Sequence, residues 1–170
     1  MAWIRSVPSP LGEILLASAD GQNLCGAWFR DQRYFAAGLE RERRTAKLPL
    51  FEAAEDWLDR YFRGEDPGPF PHLSPKGTPF QQRVWTAMAQ IPYGATRSYG
   101  ELASSVEPTE AGKRTSPRAV GSAVSRNPIS VFLPCHRVLG TDGSLRGYAG
   151  GLWRKAALLA MEQGIPFAEY

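Results

Sequence analysis

Pro134-Cys135-His136-Arg137 is the stretch of this 170-residue chain best equipped for chemistry. A cysteine reacts as its thiolate and needs a base or a positive charge nearby, and His136 stands next to it in sequence. Adjacency in sequence is not contact. In an extended segment consecutive side chains point to opposite faces, so the pair would meet only through a turn or a bridging water. A buried, inert cysteine is the plainer alternative. Five glycines follow, Gly140, Gly143, Gly147, Gly150 and Gly151. They imply a tightly folded loop that could wall a pocket, with Tyr148 among its groups. The chain's other cysteine and histidine are Cys25 and His72. That set is too small for a disulfide framework and short of the roughly four ligands of a zinc site, so no metal is expected.

The elements that must position Cys135 fall into two halves of different texture. Trp3-Ile-Arg-Ser-Val, Gly12-Glu-Ile-Leu-Leu-Ala-Ser and Leu24-Cys-Gly-Ala-Trp-Phe alternate between turn signals at Pro8-Ser-Pro and Asp20-Gly, a hairpin or meander pattern. The polar stretch 30–47 carries no clear period. Leu50, Ala54, Trp57, Leu58, Tyr61 and Phe62 recur at helical spacing, and Gly64 supplies the stop. Four prolines lie in residues 65–75, a connector that puts a domain boundary near 66–76. The expected domains are 1–73 and 74–170.

The second half reads as mainly helical. Thr78-Pro-Phe-Gln81 is a capping box with proline at the first helical position, opening a helix expected to bury Phe80, Val84, Met88 and Ile91. Ser98-Tyr-Gly-Glu101 is a second capping box for a short helix ending near Val106. Ser116-Pro117 opens a helix to about Arg126, and Asn127-Pro128 ends it. Ile129-Ser-Val-Phe-Leu predicts a short buried strand. A last helix covers about 152–163, with Gly164 as its stop. The fold class expected is α+β.

The two short helices suggest a helix-turn-helix. Ala119, Gly121, Ser122 and Ala123 leave the second nearly bare, with Arg118 and Arg126 near its ends. Such a helix either packs closely on a neighbour or approaches a groove of DNA. Net charge points the same way: residues 1–73 carry 9 Lys/Arg against 11 Asp/Glu, and residues 74–170 carry 11 against 6. Either surface charge clusters by chance, or the second half faces a polyanion. No apolar run nears the roughly 18 residues of a membrane span, and Met1–Pro8 does not read as a secretory leader. The cytoplasm, or the nucleoid when on DNA, is the expected compartment.

Gly77-Thr-Pro-Phe-Gln-Gln-Arg-Val-Trp, Ile91-Pro-Tyr-Gly-Ala-Thr-Arg-Ser-Tyr-Gly-Glu-Leu-Ala, Arg118-Ala-Val-Gly, Asn127-Pro-Ile, Pro134-Cys-His-Arg-Val and Gly147-Tyr-Ala-Gly-Gly-Leu follow in this order. Together they resemble the O6-alkylguanine-DNA alkyltransferase family over residues 76–163, while the first 70 residues match only in pattern. The resemblance implies a ribonuclease H-like first domain and a winged-helix-like second one. It implies a single, irreversible transfer of an alkyl group from O6-alkylguanine, and from O4-alkylthymine, to the protein's own cysteine. No cofactor is implied.

On matching positions, Cys135 resembles the acceptor, His136 its base acting through a water, and Glu162 the group holding that histidine. Asn127 resembles the brace of the turn. Arg118 resembles an arginine finger filling the space of an extruded nucleotide, Tyr99 a residue rotating the nucleotide at its phosphate, and Tyr148 a lining residue of the base pocket. Ala119, Gly121, Ser122, Ala123, Arg126 and Val138 join the substrate- and DNA-binding set. The implied partner is duplex DNA entered from the minor groove with little sequence preference, by a monomer without membrane contact.

Three points stand apart. The loop Ser104–Pro117, with Lys113 and Arg114, is longer than the family pattern. Cys25 and His72 do not make the zinc set that some relatives hold in the first domain. Two other functions stay open: a module that binds damaged DNA without repairing it, which needs an unreactive Cys135, and a Cys-His hydrolase, which would turn over.

Overall fold

The computed structural model describes residues 1–106, 112 and 115–165. The first half folds as the alternation requires. Strands β1 (Ala2–Val7), β2 (Ile14–Ser18) and β3 (Gly26–Phe29) pair antiparallel in sequence, with Trp3 opposite Ser18 and Ile14 opposite Phe29. A further strand, β4 (Arg43–Thr45), lies parallel to β1 and completes the order β3-β2-β1-β4. Its three exposed residues, two of them arginines, make a short charged edge of the kind that resists further pairing.

All five residues of β2 are buried, because both faces of the sheet are covered. Ile14 and Leu16 turn into the main core, whereas Leu15 and Ala17 join Trp28 beneath Phe35, Ala36 and Leu39. The polar 30–47 stretch, silent as a pattern, is thus the lid of the outer face. Helix α1 (Pro49–Phe62) covers the inner face with Leu50, Phe51, Ala54, Trp57, Leu58 and Tyr61. Gly64, at φ +87°, turns the chain out of it.

The proline-rich connector does not hang free. Leu24 N donates to His72 O at 2.8 Å and Ser74 N donates to Leu24 O at 2.8 Å, while Trp57 Nε1 donates to Gly68 O at 2.8 Å. One continuous buried cluster then runs from Leu16 and Phe29 through Tyr61 to Val84, Ile129 and Leu158. The two halves share a core.

In the second half, α2 (Pro79–Met88), α3 (Tyr99–Ser105) and α4 (Pro117–Ser125) pack on one another. Both capping boxes form, and Ser116 Oγ accepts from Ala119 N. Val84, Met88 and Ile91 are buried as expected. Phe80 is only half-buried beside Arg83, and Trp85 takes its place in the core, its indole donating to Ala123 O at 2.9 Å. A short parallel pair, β5 (Arg97–Ser98) and β6 (Val138–Leu139), ties the start of α3 to the chain after Cys135. Helix α5 (Leu152–Glu162) closes the fold, followed by Gly164 at φ +86°.

One element differs from the reading of its residues. Ile129–Leu133 is no strand: Ile129 makes an isolated bridge to Ala27, Ser130 bridges to Leu133 within the segment, and the chain folds back so that Leu133 N donates to Ile129 O at 3.0 Å. The run is apolar because a turn is buried there, and period alone does not separate a buried turn from a buried strand. The loop bearing Lys113 and Arg114 has those residues outside the described ones. Among the described residues no helix is long and apolar enough to cross a membrane.

Ser98 caps the helix that carries Tyr99. Ser98→Ala is expected to cost about 1 kcal/mol, read as a lower urea midpoint at unchanged slope; an unaltered midpoint would show that the cap does not hold α3.

Candidate active site

Asn127, just past α4, organises the turn that leads to the thiol. Its Oδ1 accepts from Ile129 N at 2.9 Å, and its Nδ2 donates to Leu133 O at 3.0 Å and to Cys135 Sγ at 3.1 Å. Those bonds span a turn in which Val131 sits at φ +72°, a conformation costly for a β-branched residue. The chain then enters a single 3-10 turn, Cys135–Arg137. Cys135 and His136 are both buried, and the turn separates their side chains rather than joining them.

Behind the thiol lies a buried carboxylate with many donors. Glu162 Oε2 lies 2.6 Å from His136 Nε2 and accepts from Tyr61 Oη at 2.6 Å. Arg137 donates to Glu162 through Nε at 2.8 Å and Nη2 at 3.2 Å, and Gly94 N donates to Oε1 at 3.0 Å. Burial pushes this carboxyl up, but the His136 and Arg137 contacts outweigh it and hold Glu162 well below the usual carboxylate range. Beside an anion, Nε2 must carry the imidazole proton, since two acceptors at 2.6 Å would repel. Nδ1 then holds the lone pair, and this buried atom has no hydrogen-bond partner among the described groups. Burial also lowers the affinity of His136 for a second proton, despite Glu162. The ring is a neutral base.

Burial raises the Cys135 thiol as well, while the Asn127 amide and the Lys155 ammonium pull it back. Lys155 is pushed down to about 8 by burial, opposed by Cys135. Its Nζ donates to Val138 O, to Arg146 O at 2.8 Å and to Gly147 O at 3.2 Å, which pins the glycine-rich loop to β6. The thiol opens on a small cavity lined by Tyr99, Gly121, Val124, Asn127, Tyr148 and Ala149. Tyr99 Oη donates to Arg146 O at 2.9 Å across its rim. The Tyr148 hydroxyl is buried near Ser130 without a well-formed hydrogen bond.

The site residues expected from sequence therefore divide. Cys135, His136, Glu162, Asn127, Tyr99, Gly121 and Tyr148 converge. Arg118 is exposed in the first turn of α4, with Ser122 exposed and Ala119 half-buried on the same helix. Arg126 lies over the Tyr34 ring at 4.0 Å, held by the first half of the chain. Ala123 and Val138 point inward. Ala123 is 3% exposed and takes the Trp85 indole on its carbonyl, and Val138 is fully buried, so neither side chain lies on the surface. Sequence reading missed Tyr61, Arg137 and Lys155 as site residues. Lys155 did leave a signal, a charge on the buried stripe with Leu158 and Glu162; Tyr61 looked like core alone. Among the described residues no three metal-ligating side chains converge.

Comparison with known proteins gives a consistent set. Residues 79–164 match the 6-O-methylguanine DNA methyltransferase, DNA binding domain, and residues 4–71 match the ribonuclease-like domain of the same enzyme. A methylated-DNA–protein-cysteine methyltransferase of Mycobacterium leprae is 45% identical over 96% of this chain and 93% of its own. One from Methanosarcina acetivorans is 47% identical over 91% of this chain and 94% of its own. The crystal structure of Mycobacterium tuberculosis OGT in complex with DNA superposes with a TM-score of 0.83 at 40% identity, covering 97% of this chain and 96% of that one.

The buried pair makes the fold acid-sensitive in two windows. His136 stays neutral in the folded state, so stability falls once pH drops below about 6.5, where an unfolded chain takes up that proton. Glu162, held low, contributes stability above the ordinary carboxylate range that is lost as pH falls through it. Glu162→Gln is expected to be less stable at neutral pH, yet to lose less than the wild type between about pH 5 and pH 3. Urea unfolding across that range tests this, and parallel losses would remove Glu162 as the source.

Proposed function

This chain belongs to the 6-O-methylguanine DNA methyltransferase family and repairs DNA by alkyl transfer to a cysteine, and we propose that Cys135 is the acceptor for one irreversible transfer per molecule. The observation that carries this is the thiol's setting. Sγ faces a cavity and takes an amide donor at 3.1 Å, and the next residue in the chain carries a neutral imidazole whose tautomer a buried carboxylate holds.

The reaction proceeds in balanced steps. The thiol proton passes to His136 Nδ1 through a bridging water, leaving a thiolate that Asn127 and Lys155 stabilise. Sulfur attacks the alkyl carbon on O6 of guanine, the S–C bond forms, and the C–O bond breaks with its electron pair on guanine. Tyr148 donates a hydrogen bond or proton to that leaving base. The product thioether is stable and no group in the pocket removes it, so the protein is consumed. A hydrolase would instead turn over.

DNA is the partner. Helix α4 supplies its contact: a minor groove accommodates Ala119, Gly121 and Ser122 where bulkier side chains would not fit. O6 is hidden in a duplex, so the damaged nucleotide is flipped at a cost of a few kcal/mol. Exposed Arg118 fills the space it leaves, and Tyr99, at the cavity rim, guides the phosphate as it rotates. Arg126 exchanges Tyr34 for the backbone. O4-alkylthymine fits the same chemistry. Contacts of this kind read shape and phosphate rather than sequence. We further propose a monomer acting in the cytoplasm or on the nucleoid, with units 1–73 and 74–170, the first scaffolding the second.

Intact mass after incubation with a duplex holding one O6-methylguanine is expected to rise by one methylene, mapped to Cys135 and saturating at one equivalent. Cys135→Ser should show no gain and undiminished DNA binding; a gain in that variant would refute the acceptor. Arg118→Ala should slow repair of duplex roughly tenfold or more while leaving reaction with free O6-benzylguanine near wild type. Equal slowing of both substrates counts against a role in flipping.

A further inference from the structure

Tyr61 belongs to the first half of the chain, on α1, yet its hydroxyl ends inside the reaction centre of the second. It is fully buried, stacked on Trp57 at 5.4 Å and set edge-on to the His136 and Tyr93 rings. Its single proton has two neighbours, Glu162 Oε2 at 2.6 Å and His136 Nε2 at 3.3 Å. With Nε2 protonated toward Glu162, only the carboxylate can accept. Burial and Glu162 both raise the phenol far above its usual range, so it donates and never ionises. Core packing needs a ring at this place and has no use for a hydroxyl; phenylalanine would fill the same volume without adding a donor to an already crowded oxygen.

We propose that Tyr61 is a positioning residue for the transfer: its hydroxyl fixes the Glu162 oxygen that faces His136 Nε2, and so sets the orientation and basicity with which His136 takes the thiol proton. This rests on the reading of Cys135 as acceptor and His136 as its base. The hydroxyl draws negative charge from Oε2, which leaves that oxygen a weaker partner for the imidazolium. The other charged or titratable groups around the ring are Glu162 and Lys155 from α5, Arg137 and Cys135 from its own turn, and Tyr93, which packs edge-on against Tyr61. Of these, only Glu162 shares an oxygen between Tyr61 and His136.

The test is the pH profile of the single-turnover rate with free O6-benzylguanine, which bypasses DNA binding and flipping. Tyr61→Phe should still give one benzyl adduct on Cys135. Its acid limb should move up by about one pH unit, a roughly tenfold slower reaction on that side. Replacing Tyr61 with a fluorinated tyrosine, a stronger donor of nearly the same shape, should move the limb the opposite way. In a Glu162→Gln background, Tyr61→Phe should move it no further. A rate that falls evenly at all pH values, with the limb unmoved in both variants, overturns the proposal, as does an equal shift in the Glu162→Gln background. A wild-type protein without the Cys135 adduct would fail the acceptor reading itself, and is distinguished by mass alone.

Discussion

A carboxylate buried at Glu162 is the constraint around which this molecule is arranged. An unpaired anion in a protein interior costs several kcal/mol and would take up a proton instead. Here the charge is kept because four donors reach it from three places: Tyr61 on α1, the Gly94 amide after α2, and His136 and Arg137 on the 3-10 turn. Each donor fixes the segment that bears it. Arg137 also ties Ile91 O at 2.7 Å, so the end of α2 and the reactive turn share one anchor. The pairing that keeps Glu162 ionised also holds His136 in one tautomer, and burial keeps the ring neutral, which is the state its chemistry needs.

A second constraint acts on the other side of the sulfur. The 127–135 turn is buried and its backbone cannot reach solvent, so its polar groups must be met internally. Asn127 meets two of them and turns its remaining hydrogen toward Sγ. Structural bracing and support of a thiolate therefore come from one amide.

The first half of the chain does more than cover a core. Arg33 N donates to Ala149 O at 2.8 Å, beside Tyr148. Arg154 lies between the Phe29 and Trp153 rings at 4.3 and 4.4 Å while bonding Leu11 O, Asp31 and Gly150 O. Ala27 N donates to Pro128 O at 2.9 Å, next to the Asn127 turn. Both walls of the cavity thus lean on the sheet and its following loop. Lys155 holds the loop from the opposite side, at the expense of a cation made easier to discharge.

Much of this was legible in the residues. Local rules with short reach decided the three antiparallel strands, the two capping boxes, Ser116-Pro117, and the glycine stops at 64 and 164, because alternation, caps and positive-φ turns depend on neighbours a few places apart. The ordered motifs from Gly77 to Leu152 identified the chemistry and its main residues by resemblance. What the sequence could not reveal were relations across long separations. β4 is set by pairing with β1 rather than by its own composition. Ile129–Leu133 is apolar for burial in a turn, and burial alone does not distinguish turn from strand. Ala123 was read as part of a bare face, but the helix rotation that turns it to Trp85 while leaving Ser122 outside follows from packing with α2. Tyr61 looked like one more core aromatic on a helical stripe, since its hydroxyl matters only where it meets a residue 101 positions away. The sequence alone determined which elements form and which thiol could react; the tertiary structure decided which donors surround it, because a buried charge is satisfied by whatever the fold brings within hydrogen-bond reach.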